Sequence, residues 1–230
     1  MMPFGCEISQ INIKGNNLNN KIAQFKTEFE AGVDSSNLLL EELGIDKRIS
    51  KMEEVIKGIF IATASITHDY KTLNETQIKL VVNCAADKCK NLFLNDFHYQ
   101  WIFMPDPLLQ EFNLECLVYA ISDSLRQYIS ESNNILFHCY GYDPEIKYSG
   151  SRSISLLVGY LMCTLNIEYE DAFELVRKKW SIDIPDFLRK QLEQLSKRRK
   201  TKIGKGYRVY AVCSYTDKDP KHLVAKYVIC

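Results

Sequence analysis

A cysteine, an arginine and an aspartate in this chain have the types and surroundings for phosphate chemistry. The stretch "NILFHCYGYDPEIKYSGSRSISLLVGYLM", residues 134–162, begins like a strand that delivers Cys139 and ends like a helix that opens on Gly-Ser-Arg-Ser. A thiol is a good nucleophile only as thiolate, and a helix N-terminus, an array of backbone amides or a guanidinium each favour that form. The same groups cradle a phosphate: amides in a nest, the positive end of a helix, and a planar two-pronged donor. A cysteine leading into such a loop can attack phosphorus and form a covalent thiophosphoryl intermediate. On this reading Cys139 is the nucleophile, Arg152 the phosphate clamp, and the Ser153 hydroxyl a hydrogen-bond donor to the departing sulfur. If the residues between them bulge outward, Tyr140, Ser149, Gly150 and Ser151 ring the phosphate with Arg152; the alternative is an opened nest that binds anions poorly. The departing oxygen also needs a proton, and Asp106 in "WIFMPDPLLQEF" is the candidate acid. An aspartate between two prolines is by itself an ordinary turn residue; the cysteine and arginine downstream are what give it a second reading.

Those side chains need a frame. "GIFIATA" (58–64), "IKLVVNC" (78–84), "YQWIFM" (99–104) and "NILFH" (134–138) are short apolar runs rich in β-branched and aromatic residues, the pattern of strands. Between and after them lie helical patterns. In 111–131, Leu114, Leu117, Val118, Ile121, Leu125, Tyr128 and Ile129 trace one face. Segment 153–165 is apolar nearly all round, the mark of a buried helix; 168–180 gathers Ala172, Phe173, Val176 and Trp180 on one side, and 186–197 closes the domain. Strands alternating with helices imply an α/β fold, a central mostly parallel twisted sheet of four to five strands flanked by helices. Sites in such folds lie beyond the carboxyl ends of strands, where Cys139 falls. The expected organisation is a helical N-terminal extension (1–50), with Ile22, Phe25 and Phe29 on one face, then the main domain (51–197), then a basic linker and small accessory segment (198–230).

Composition removes several function classes. Formal net charge is zero, so no global field favours nucleic acid or an anionic membrane, and no apolar run is long enough for a membrane span. The first ten residues lack the basic and apolar blocks of a secretory signal. Eight cysteines spread through a mid-sized chain then read as reduced thiols in the cytoplasm or nucleus. Cys84 and Cys89 have no second ligand pair, which argues against zinc. Cys84 ends the second strand, which should neighbour the strand ending at Cys139; it is either a thiol within disulfide reach of Cys139 or a buried apolar cysteine. "KRRK" at 197–200 reads as a solvated basic helix end, with a nuclear signal or an anionic contact as alternatives.

From about Lys51 to Leu195 the chain resembles the dual-specificity protein phosphatases, most closely the MAP kinase phosphatase type of plants and protists. "GIFIATASITHDYKTLNETQIKLVVNCA" is similar to that family's opening strand, short helix and second strand. "FHYQWIFMPDP" resembles its acid-bearing loop, "ILFHC…GSRSISLLVGYLM" its signature and following helix, and "YEDAFELVRKKW" the next helix. The resemblance implies Cys139 as nucleophile, Arg152 as phosphate-binding arginine, Asp106 as general acid, His138 as an orienting residue and Cys84 as a resolving thiol. It implies a phosphorylated protein as partner, a MAP kinase among the candidates, with no cofactor or metal; it leaves oligomeric state open. One departure stands out. The family spaces cysteine and arginine by five residues; here twelve (140–151) intervene, and Glu145 occupies the arginine's place. Lengthening a closed loop this way costs only about 0.7 kcal/mol of closure entropy, so folding tolerates it. Two functions therefore stay open: a working phosphatase whose insert bulges outward, or a pseudophosphatase that binds phosphoproteins or kinases without turnover.

Overall fold

The computed structural model describes residues 50–230 apart from 87, 103, 105–112, 131–132, 141–149, 182, 202–211, 216–221 and 227–230. The helices expected within residues 1–50 lie outside the described residues. Seven strands are formed: β1 Met52–Ile56, β2 Ile59–Ala62, β3 Ile78–Asn83, β4 His98–Ile102, β5 Asn134–His138, β6 Val212–Tyr215 and β7 His222–Lys226. They make one sheet in the order β1-β2-β5-β3-β4-β7-β6. The five inner strands run parallel, and β1 and β6 lie antiparallel on the two edges. The mostly parallel sheet expected from the apolar runs is present. β1 went unread because "MEEVI" carries two glutamates, a charged edge strand being one way a sheet avoids pairing with another chain. It joins β2 through Gly58, whose φ of 78° lies in the left-handed region that glycine enters without penalty.

The central parallel strands β2, β5 and β3 are short and mostly buried because helices pack on both faces. Six helices are described: α1 Ala64–Thr67, α2 Tyr70–Glu75, α3 Leu114–Ser130, α4 Ser151–Leu165, α5 Tyr169–Arg177 and α6 Asp186–Thr201. Strand alternation divides the core. Ile135 and Phe137 of β5, with Leu80 and Val82 of β3, face α3, α4 and α6. Leu136 and Val81 face the opposite side, against Ile66, Leu73, Phe93 and Phe97. Ile78 joins this second face because the β3–β5 register shifts between Ile78 and Leu80.

Helix α4 is the axis of the helical layer. Every residue from Ser151 to Met162 is buried, as its all-round apolar sequence requires, and it packs against α3, α5 and α6. The close crossing rests on Gly159: a Cβ there would lie 2.3 Å from Val118 Cγ2 and 3.1 Å from Leu192 Cδ2. Helix α6 runs to Thr201, past the expected end at 197, so "KRRK" forms its last turns, and Arg198 makes an ion pair with Glu115 of α3.

Candidate active site

The site is built where the central strands end. Ala62 of β2 and Asn83 of β3 both pair with His138 of β5, so three parallel strands terminate side by side and Cys139 leaves from the middle one. Its residue is 3% exposed. The Cys84 amide donates to the His138 carbonyl at 2.8 Å, continuing the ladder one residue beyond β3. Cys84 and Cys139 therefore stand opposite each other on neighbouring strand ends. Such strands lie about 4.8 Å apart, within the Cα separation that a disulfide spans, and both cysteines are thiols outside any disulfide.

Arg152 enters from the first turn of α4. Gly150, at φ 79° and ψ 0°, turns the chain into the helix, and no side chain caps it. The first amides of a helix have no intrahelical acceptor, and the N-cap glycine has no side chain to take that place; together with the helix dipole they favour an anion. The Arg152 residue is 8% exposed, and its Nη1 donates to the Met104 carbonyl at 3.0 Å. Met104 lies just past β4, two residues before Asp106 in the sequence. One hydrogen bond thus joins the arginine to the segment that leads to the candidate acid. Ser153 Oγ donates to the Gly150 carbonyl at 3.1 Å, so a bond to the Cys139 sulfur requires the hydroxyl to rotate. Ser151 is buried, and its carbonyl accepts from Ser155 Oγ at 2.8 Å. Asp106 and Ser149, with Asp143 and Glu145 of the insert, lie outside the described residues.

Two buried histidines sit behind Cys139. Burial pushes the His138 pKa down to about 3; the nearby His68 ring and the Arg152 guanidinium act in the same direction, while the Cys139 backbone favours the charged ring. Among the described residues neither His138 ring nitrogen has a well-formed hydrogen bond. The His68 pKa is also lowered by burial, opposed by the Lys90 carbonyl at 2.8 Å from its Nε2. Both rings are neutral near pH 7, suited to shaping the strand ends and not to carrying protons. Burial likewise pushes the Cys84 thiol well above its ordinary pKa; the neighbouring Cys139 adds to this and Arg152 offsets part of it.

Sequence reasoning missed the turn beside the site. Buried Asn83 clamps it with three bonds: Nδ2 donates to the Cys89 carbonyl and to Asn91 Oδ1, each at 2.9 Å, and Oδ1 accepts from the Ala85 amide at 3.0 Å. The turn carries Lys88, whose Nζ lies 5.9 Å from the centre of the Tyr140 ring. In sequence, Asn83 looked like the polar end of a strand; only an asparagine followed by a short Cys-to-Cys loop hinted at a clamp. Among the described residues, no group of three or more His, Cys, Asp or Glu is placed to hold a metal, and no helix is long and apolar enough to cross a membrane.

Comparison with known proteins gives the same frame a family. The model of the dual specificity phosphatase catalytic domain matches residues 59–198, more than half the chain. Protein-tyrosine-phosphatase MKP1 of Arabidopsis thaliana is 27% identical over 188 residues, covering 79% of this chain and 22% of that protein. Human dual specificity protein phosphatase 9 is 25% identical over 164 residues, 70% of this chain and 40% of its own length. The chain thus spans well under half of these relatives. Among solved structures, human tyrosine phosphatase-like serine/threonine/tyrosine-interacting protein has a TM-score of 0.56 at 19% identity, covering 65% of this chain and 97% of its own. Human DUSP28 has a TM-score of 0.55 at 15% identity, covering 65% and 95%. The chain belongs to the dual-specificity phosphatase family.

Proposed function

We propose that this family member hydrolyses phosphotyrosine, and also phosphoserine and phosphothreonine, in proteins through a cysteinyl-phosphate intermediate. The Cys139 thiolate attacks phosphorus, the S–P bond forms, and the bond to the side-chain oxygen breaks as Asp106 donates its proton to that oxygen. Asp106, now a carboxylate, takes a proton from water; the water oxygen attacks phosphorus, and the S–P bond breaks to return thiolate and inorganic phosphate. Arg152 holds two equatorial oxygens, the amides of Tyr140 and of Ser149 to Ser151 surround the third, and Ser153 swings from Gly150 to donate to the leaving sulfur. This mechanism uses no metal.

The observation that carries this reading is the Arg152–Met104 hydrogen bond. It fixes a buried guanidinium at the start of α4, next to the strand ends that present Cys139, and ties it to the segment preceding Asp106. That juxtaposition supports nucleophile, clamp and acid acting on one phosphate. A phosphorylated kinase of the MAP type is the substrate we favour, from the resemblance to MAP kinase phosphatases. Cytoplasm, extending to the nucleus, is the location we favour, from the reduced thiols and the basic end of α6.

The test is hydrolysis of a small aryl phosphate by wild type, Cys139→Ser and Asp106→Asn between pH 5 and 8. Loss of activity with serine and weakening with asparagine are expected. A wild type with reduced thiols that turns over neither the aryl phosphate nor a phosphorylated kinase peptide would overturn the proposal. The twelve-residue spacing, with Glu145 in the family's arginine position, favours a second reading, a pseudophosphatase that binds phosphoproteins. It expects saturable phosphopeptide binding by wild type with no release of phosphate.

A further inference from the structure

We infer that Lys88 and Tyr140 form a flanking subsite that selects substrates with an anionic side chain close to the phosphorylated residue. This deepens the hydrolytic reading by naming a substrate feature, and it is testable apart from turnover. Tyr140 follows Cys139 directly, yet its residue is 49% exposed in a chain whose other large hydrophobic residues are mostly buried. Lys88 is exposed too, and its ammonium lies over the Tyr140 ring, within the range of a cation–π contact. Among the described residues neither Lys88 nor Lys90, two positions on and also exposed, makes an ion pair.

The turn that presents these cations is held from below. Asn83, wholly buried, makes its three bonds to the turn. The Ala85 carbonyl accepts from the Lys88 amide at 2.8 Å and the Cys89 amide at 2.7 Å. His68 Nε2 bonds the Lys90 carbonyl. The backbone under Lys88 is thereby fixed before any substrate arrives, which reduces the ordering that binding requires. A phosphorylated residue seated over Cys139 places its neighbours beside Tyr140 and Lys88. An aromatic face lined by an ammonium that makes no ion pair among the described residues suits a carboxylate or a second phosphate, both of which satisfy the cation; the Tyr140 ring packs against the apolar stem of the same residue.

The experiment measures binding of phosphotyrosine peptides to a Cys139→Ser chain, which traps substrate without turnover, and their hydrolysis by the chain with Cys139 intact. Three peptides are compared: flanks neutral, flanks with glutamate, and flanks with phosphoserine. A preference of about two- to fivefold for an anionic flank is expected from one exposed charge pair, shrinking in 0.5 M salt. Lys88→Ala removes the preference and Lys88→Glu reverses it. Tyr140→Ala weakens it, whereas Tyr140→Phe retains it. Preference for phosphoserine alone identifies a second phosphate as the anion, and preference for both identifies charge alone. Equal binding of all three peptides, or a preference that survives Lys88→Ala, overturns the inference. Lys88-dependent binding without hydrolysis leaves the subsite standing and removes the hydrolytic reading; hydrolysis indifferent to flanks does the reverse.

Discussion

Substituting alanine for Gly159 places a methyl group where α3 already has one. The added Cβ would lie 2.3 Å from Val118 Cγ2 and 3.2 Å from Val118 Cγ1, against a normal carbon–carbon contact of about 3.5–4.0 Å. Rotating Val118 exchanges one close methyl for the other, and a β-branched residue in a helix strongly prefers a single χ1. Leu192 Cδ2 at 3.1 Å closes the side toward α6. Relief therefore requires α3 and α4 to separate, with Val118 itself wholly buried. Alanine is favoured over glycine inside a helix by about 1 kcal/mol, while overpacking a core costs about 1–3 kcal/mol and a contact this short belongs at the upper end. The expected result is a net loss of about 1–2 kcal/mol in guanidinium unfolding followed by tryptophan fluorescence. Val118→Ala alone also destabilises, by leaving a cavity. The double variant Val118→Ala/Gly159→Ala relieves the clash, so the two losses should fail to add by about 1 kcal/mol or more. Activity on an aryl phosphate should follow, because α4 carries Arg152 about two turns upstream: lower in Gly159→Ala, partly restored in the double variant. A Gly159→Ala chain as stable as wild type, or losses that add, would refute the close crossing.

Acid should weaken the fold through His138. Its pKa of about 3 in the fold lies below its ordinary value near 6.5, so the unfolded chain binds the extra proton first. Stability is complete above pH 6.5 and declines toward pH 3, by about 2 kcal/mol between pH 7 and 5 from this ring alone; His68 acts in the same direction. Chemical unfolding at both pH values checks this, and a His138→Gln chain with the wild-type slope contradicts it. Asn83→Ala removes three hydrogen bonds from a buried position and should lower stability by about 2–3 kcal/mol, with the amides of Ala85 to Asn91 exchanging faster by hydrogen–deuterium exchange; unchanged protection there would sink the clamp. Arg152→Lys, which lacks the planar fork, should reduce kcat/KM on an aryl phosphate by about a hundredfold, and near-wild-type activity would deny the arginine its role. Peroxide should convert Cys139 to a sulfenic acid, which condenses with the Cys84 thiol to a disulfide and water. Because burial keeps Cys84 protonated, the condensation should speed up as pH rises; irreversible inactivation identical in wild type and Cys84→Ser would exclude the pairing.

What the sequence disclosed, and what it hid, divides along physical lines. β5 and α4 were legible because each is buried on all sides, so the chain had little choice but an unbroken apolar run, and the length of each run separates strand from helix. The ends of those two elements carry Cys139 and Arg152, so the core of the candidate site was legible with them. β1 was hidden because an edge strand need bury only part of itself, and Glu53 and Glu54 mask its pattern. Asn83, His68 and Gly159 were hidden for a different reason. Each acts on a partner brought near by tertiary structure: Asn83 on a turn, His68 on the Lys90 carbonyl, Gly159 on Val118 of another helix. Local spacing carries no trace of such contacts. The assignments of Asp106 and Ser149 rest on the sequence, since both lie outside the described residues.

The long spacing between Cys139 and Arg152 has a physical answer in how its two ends are held. A phosphate cradle works when its donors are fixed before the anion arrives, and that depends on anchoring more than on the number of residues between anchors. On one side, Cys139 continues a central strand hydrogen-bonded to β2 and β3. On the other, α4 is buried from its first residue, Gly150 supplies the left-handed turn into it, and Arg152 is held to Met104. Each anchor is secured by its own contacts with the core. The added length enters as a closure entropy of about 0.7 kcal/mol, small beside the burial that fixes α4. The sheet and the buried helix therefore hold the two described ends of the spacing, Cys139 and Arg152, each by its own contacts.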